Sequence, residues 1–261
     1  MKQSNLANNI LYTHEKSVHN TKAAEQVVPL IMELFSPESV IDVGCGIGTW
    51  LNVFKKYGIS KVKGIDSHYV NRKLLFQNIQ EHEFVGFDLS APFDLKERFD
   101  LLICLEVAEH LSIYSAKRFV ESLCKHSNTI LFGAAVPGQW GQNHLNEQWA
   151  EYWIDLFKSN GYFLIDAVRP LIWHNKQVEW WYKQNTLVFT KVRKDVKGHQ
   201  IIYTSLIHPD HFKQKLNHIR LQDEKIYLIQ SELDRWNAGE MGLRKHFRTF
   251  IKAIKNRLFK N

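Results

Sequence analysis

The sequence predicts an α/β fold with a seven-stranded sheet whose last strand runs antiparallel, followed by a C-terminal helical extension. Three observations predict it. Short apolar segments alternate with helix-patterned segments over the first 190 or so residues. The first apolar strand, Val40-Ile41-Asp42-Val43, runs straight into the glycine turn Gly44-Cys45-Gly46-Ile47-Gly48, and a helix pattern opens at once. Beyond Val192 the chain changes to a charged break and then a long helix pattern.

The elements follow in order. Val27, Val28, Leu30, Ile31 and Leu34 recur at helical spacing and predict a helix over 15–35, lying over the ligand side of the sheet. Strands are expected near 39–43, 61–65, 83–87, 99–105, 128–134, 162–168 and 185–192. Helix patterns fill 48–57, 69–79, 113–126 and 147–160. The connection 169–184 carries Pro170 and bulky aromatics and is too short for a crossover helix, so the last strand is expected to run antiparallel to the sixth. The break Arg193–Gly198 and the extended patch Ile201-Ile202-Tyr203 precede a helix from Pro209 to about Trp236, and Gly239 and Gly242 interrupt the chain before a basic tail. The domain boundaries read as 1–193, 194–239 and 240–261.

Composition bounds the function. A chain of 261 residues, 44% hydrophobic and 13% aromatic, buries one α/β core and an appendage. No apolar run reaches the ~20 residues of a membrane span, and Met1 to Asn9 is too polar for a signal peptide. Cys45, Cys104 and Cys124 are odd in number and form no C-x-x-C, which indicates neither a disulfide framework nor structural zinc and fits the cytoplasm. The net charge of +7 is uneven: residues 240–261 hold seven Lys/Arg against Glu240, leaving +1 for residues 1–239. The presumed catalytic part thus lacks the cationic excess that a nucleic-acid backbone asks for.

The second strand ends in Asp66, where a carboxylate can accept from ribose hydroxyls, so strand, glycine turn and acid together indicate a nucleoside cofactor. The dinucleotide fingerprint needs its third glycine one place after Gly48. This spacing, with Asp42 inside the strand, instead resembles the S-adenosylmethionine loop of Rossmann-like class I methyltransferases. The order continues with Asp88 after the third strand and Glu106 after the fourth, across about 190 residues. More narrowly, Glu106-Val-Ala-Glu-His-Leu111, Pro137-Gly-Gln-Trp-Gly141, His144-Leu-Asn-Glu-Gln-Trp149, Tyr152-Trp153 and Glu179-Trp-Trp-Tyr182 resemble a bacterial methyltransferase family often found in surface-polysaccharide or metabolite gene sets. The resemblance implies that Gly44, Gly46 and Gly48 pass under the methionine part, Asp66 holds the ribose, and Asp88 with Leu89 holds the adenine. Asp42, Thr49, Trp50, Leu105 and Glu106 complete the implied cofactor set.

Methyl transfer from a sulfonium asks the protein to align a nucleophile and handle its proton. Glu106, Glu109 and His110 are spaced i, i+3, i+4 and share a face if the chain turns helically after the fourth strand. His144 lies on a loop that can return to the same mouth. These four form a mixed N/O set suited to a divalent cation such as Mg²⁺ or Mn²⁺. E-x-x-E-H with a later His also resembles the metal site of small-RNA 2′-O-methyltransferases and ubiquinone-pathway O-methyltransferases. Without a metal, Glu106 would touch the cofactor's methionine end, His110 would bond locally, and His144 would be a general base or a loop-ordering residue.

The loop 137–143, the polar-aromatic run Asn146, Glu147, Gln148, Trp149, Tyr152 and Trp153, and the cluster Trp173, His174, Glu179, Trp180, Trp181 and Tyr182 suit a sugar or other small polar acceptor. At least half of these tryptophans are expected in the core. The expected activity is O-methylation of such an acceptor. The alternatives are an RNA 2′-O-methyltransferase, which the near-neutral domain disfavours, and a catalytically silent cofactor-binding scaffold. Leu243, Phe247, Phe250, Ile251, Ile254 and Leu258 form one apolar stripe among the basic residues of the tail. That pattern predicts either contact of residues 243–260 with an anionic inner-membrane surface, or a clasp on its own domain or a homodimer mate.

Overall fold

The structure, a computed structural model, describes residues 20–192, 204–240, 242 and 247–252. The expected start of the first helix at 15–19, the extended patch 201–203 and most of the basic tail lie outside them. The chain divides into two units, 1–208 and 209–261.

In the first unit, β1 (Ser39–Val43), β2 (Lys61–Asp66), β3 (Phe84–Gly86), β4 (Leu101–Leu105), β5 (Thr129–Gly133), β6 (Phe163–Ile165) and β7 (Leu187–Thr190) form one sheet in the order β3-β2-β1-β4-β5-β7-β6. The pairs from β3 across to β5 are parallel, and β7 runs antiparallel to both β5 and β6. The expected architecture is therefore present. Every residue of β1 is buried. Val40 packs on one face with Leu101 and Ile103, while Ile41 and Val43 pack on the other with Leu102 and Cys104. A strand covered on both faces has to read as a continuous apolar run, and these do.

One face is covered by α1 (Lys22–Phe35), through Ala23, Ala24, Val27, Val28 and Ile31, and by α2 (Thr49–Lys56), through Leu51, Val53 and Phe54. The other carries α4 (Ile113–His126) and α5 (Ala150–Ser159), with Phe119, Leu123, Trp153 and Phe157 in its core. The strand order reverses between β1 and β4, which opens a crevice at the carboxyl ends where ligands of such sheets bind.

Three expectations change. The helix expected at 69–79 is one turn, α3 (Arg72–Leu75), opened by Asn71, whose side chain accepts from the Leu74 amide. The remainder is turns, in which Asn78 gives its Nδ2 to the Ile47 carbonyl at 2.8 Å, supporting the glycine turn. The expected 147–160 helix begins at Ala150 because Glu147 is engaged by loop amides. Of the tryptophans expected to anchor the core, only Trp153 does; Trp140 and Trp149 are exposed, and Trp173, Trp180 and Trp181 are partly so. The connection between β6 and β7 holds two short helices, α6 (Arg169–Ile172) and α7 (Trp180–Asn185).

The second unit is dominated by α8 (Pro209–Asn237), 29 residues and so about 43 Å long. Phe212, Leu216, Ile219, Ile226, Ile229 and Leu233 are all exposed on it. No helix among the described residues is long and apolar enough to cross a membrane.

Candidate active site

The glycine turn is built by the ends of β1 and β2. Gly44 and Cys45 donate to the Ile65 carbonyl at 2.8 and 3.1 Å, and the Gly46 amide donates to Asp66 Oδ2 at 2.7 Å. Gly44 has φ +85°, and a Cβ there would lie 2.2 Å from Val107 Cγ2, so both backbone and packing require glycine. Asn52 Nδ2 donates to Asn78 Oδ1 at 2.7 Å, which orients the Asn78 amide toward Ile47. No side chain caps the start of α2 at Gly48, so no side-chain cap occupies the amides of its first turn at the crevice.

Of the expected cofactor residues, Asp66 bonds this turn, Asp42 precedes it in β1, and Thr49 and Trp50 follow it. Asp42 is buried below it, with its carboxyl pushed well up by burial and then by the charge of Asp66. Thr49 and Trp50 open α2, both buried. Asp88 is exposed past β3 and accepts from the amide and hydroxyl of Ser90, while Leu89 is buried beside it. Leu105 closes β4, half-buried.

After β4 the four proposed ligands part company. Glu106 sits at φ +56°, a left-handed conformation uncommon outside glycine. Its Oε1 accepts from Asn185 Nδ2 at 2.9 Å and its Oε2 from Gln139 Nε2 at 2.8 Å. Burial raises its carboxyl to about 7, against the lowering effect of those two bonds. Both oxygens serve amides, so Glu106 stands outside the ligand cluster, a departure from the four-ligand expectation.

The other three do meet. One ligand atom from each of Glu109, His110 and His144 lies within 4.8 Å of the others. The backbone brings them together: the Glu109 carbonyl accepts from the amides of Leu145 and Asn146 at 2.7 and 3.0 Å, which pins the His144 loop to the E-H turn. The imidazoles of His110 and His144 meet edge to face at 4.9 Å. Glu109 is fully buried, and neither carboxylate oxygen has a hydrogen-bond partner. Burial and then the charge of Glu106 push its carboxyl well up, and the nearby amides of Glu109 and Ala135 offset only part of this. His110 is lowered to about 4, first by burial and then by His144, so it is neutral near pH 7.

His144 is oriented from behind. Its Nδ1 lies 2.8 Å from Glu147 Oε1, and Glu147 also accepts from Gly138 and Trp140 amides at 2.6 and 2.7 Å. Burial acts to raise the Glu147 carboxyl, but these bonds outweigh it and hold it low. A carboxylate acceptor at Nδ1 fixes the orientation of the ring and turns its Nε2 away from Glu147. A Cβ on Gly141 would come within 2.1 Å of that Nε2, so the glycine leaves its space open. One buried carboxylate without a hydrogen-bond partner, two imidazoles and an open space fit a divalent cation. Sequence reasoning missed Asn52, Asn78 and Asn185, which carry no motif; Gln139, Glu147 and Glu179 were visible only as members of polar-aromatic runs.

A family model described as a methyltransferase domain matches residues 18–195. A mitochondrial ubiquinone biosynthesis O-methyltransferase of Dictyostelium discoideum is 29% identical over 122 residues, 41% of this chain and 36% of that protein. The match thus spans little more than a third of that relative's length. Among solved structures, the sugar N-methyltransferase KedS8 from Streptoalloteichus sp ATCC 53650 superposes with a TM-score of 0.53 at 14% identity, over 74% of this chain and 100% of that one. S-adenosylmethionine-bound CalS10, an amino pentose methyltransferase from Micromonospora echinaspora, gives 0.51 at 14%, over 70% and 98%. At such identities the likeness is one of fold.

Proposed function

The chain belongs to the methyltransferase-domain family; from that premise we propose that it uses S-adenosylmethionine to methylate an oxygen of a small polar acceptor, such as a sugar or a surface-polysaccharide intermediate, beside a divalent cation. The observation that carries the reading is the fully buried, unpartnered Glu109 carboxylate set against His110 and His144. An ionised carboxylate in that position costs several kcal/mol without a cation, and nitrogen donors suit Mn²⁺, Fe²⁺ or Zn²⁺ better than Mg²⁺. A cation held there supplies the positive charge that orients and acidifies an acceptor hydroxyl. Gly44, Gly46 and Asp66 would position the donor, Asp88 and Leu89 its base, and His144 would be a ligand through Nε2 or, with no metal, take the acceptor proton there. The exposed Trp140 and Trp149 near this loop offer ring faces to a sugar.

Two measurements test this. Calorimetric titration of the metal-stripped chain with Mn²⁺ should show one site, lost in Glu109→Ala and in His110→Ala. Transfer of labelled methyl groups to a panel of sugar acceptors should stop in excess EDTA, while S-adenosylhomocysteine binding stays nearly unchanged. Full turnover in excess chelator would reject the metal and leave His144 as a lone base.

A further inference from the structure

A second carboxylate has an oxygen without a hydrogen-bond partner, at the start of α7. Glu179 is the N-cap residue of α7, yet its side chain makes no capping hydrogen bond. Its Oε2 is buried and unpartnered, and its Oε1 receives only a long 3.4 Å bond from Asn20 Nδ2. Such an oxygen lacks the cation or donor that would offset its lost hydration.

Its surroundings are aromatic and lead to the glycine turn. Tyr182, three residues along α7 and so on the same side, meets Trp50 edge to face at 5.5 Å. Trp50 is the second residue of α2, directly beyond the turn. Trp181 stands 6.0 Å from Tyr182. At its far end α7 delivers Asn185 to Glu106 at the end of β4, so the helix runs from one carboxylate to the other. Burial, then the charges of Glu106 and Glu179, push the Tyr182 hydroxyl up. Ring faces together with an unpartnered carboxylate are what an alkylammonium group binds.

We propose that Glu179 binds the α-ammonium of the methionine portion of S-adenosylmethionine, with Trp50 and Tyr182 as the aromatic walls of that subsite. The assignment rests on the chain's use of this donor and is independent of the metal. The glycine turn fixes the position of the donor, and the connection between β6 and β7 supplies the counter-charge for its amino-acid end.

The test compares two ligands on the full chain by competition calorimetry: S-adenosylhomocysteine and its desamino analogue, which lacks only the ammonium. In the wild-type chain the analogue should bind roughly 10- to 100-fold more weakly, the range expected for a charge-assisted contact. In Glu179→Gln and in Glu179→Ala the two ligands should bind alike, each near the wild-type affinity for the analogue. Independent losses in ligand and variant would overturn the proposal, as would an unchanged affinity for S-adenosylhomocysteine. Loss of analogue binding in both variants would also overturn it, since that would mark Glu179 as a support of the fold. Failure of the wild-type chain to bind S-adenosylhomocysteine at all would remove the donor itself and the assignment with it.

Discussion

Glu106 and Glu109 are three residues apart, the first partly and the second fully buried, and differently used. Glu106 is spent on two side-chain amides, whereas Glu109 has no hydrogen-bond partner. Their i, i+3 spacing suggested a shared face, but the left-handed φ of Glu106 turns it away before the short 3-10 turn Ala108–His110 begins. A dihedral of that kind leaves no mark in a sequence when the residue is not glycine, so the meeting of Glu109, His110 and His144 was legible and the departure of Glu106 was not. The ionisation of Glu106 gives a pH signature. Its folded-state value, about 7, exceeds the ordinary 4.5, so the folded chain keeps a proton that the unfolded chain releases. Stability therefore falls as pH rises from about 4.5 to 7 and levels off above. His110 is shifted down, to about 4, and acts with the opposite sign over pH 4 to 6.5. The difference between wild type and Glu106→Gln isolates the first effect: thermal melts should show the variant gaining on the wild type through pH 5–7. A constant difference across that window would show that Glu106 is ionised in the folded chain throughout.

At the scale of elements, strand positions were the most legible feature. β1 lies where expected and the others within a few residues, because strands buried on both faces carry an unbroken apolar signal. The segment after β2 was the least legible. Its periodicity, through Leu75 and Ile79, is that of a helix, and both residues are buried. The chain nevertheless leaves the helix after one turn, and the Asn78 side chain bonds the Ile47 carbonyl rather than facing solvent. Pattern reports which side chains are buried, and a single amide reaching a distant backbone carbonyl is invisible to it. Asn78→Ala removes the bonds to Ile47 and Asn52, each worth about 1 kcal/mol. S-adenosylhomocysteine affinity should drop roughly five- to tenfold, with little change in metal affinity, because the Glu109 cluster lies on another loop. Equal weakening of both ligands in calorimetry would indicate a general loosening of the domain instead of a support for the turn.

Across the whole sequence, net positive charge is concentrated toward the C-terminal end. Residues 240–261 hold +6 of the +7 charge, and in the described stretch 247–252 Phe247, Phe250 and Ile251 are exposed beside Arg248 and Lys252. The apolar side chains of α8 are exposed as well, recurring at 212, 219, 226 and 233 with Leu216 and Ile229 between. A seven-residue recurrence on a 29-residue helix suits pairing with another helix. A basic amphipathic tail suits an anionic bilayer. The two uses predict different behaviour for a chain ending at Gly239. If the tail binds membranes, the full chain should pellet with vesicles containing anionic lipid, and pelleting should weaken at high salt as the charges are screened. The shortened chain should then stay in the supernatant while keeping its oligomeric state. Equal pelleting of both, or of neither, would remove the membrane role. If the tail is a clasp, the shortened chain should instead lose solubility or dissociate in sedimentation velocity. Ile226→Lys in the full chain separates helix pairing from either use of the tail: it should yield monomers while leaving vesicle binding intact, because the tail's stripe and its basic residues are untouched.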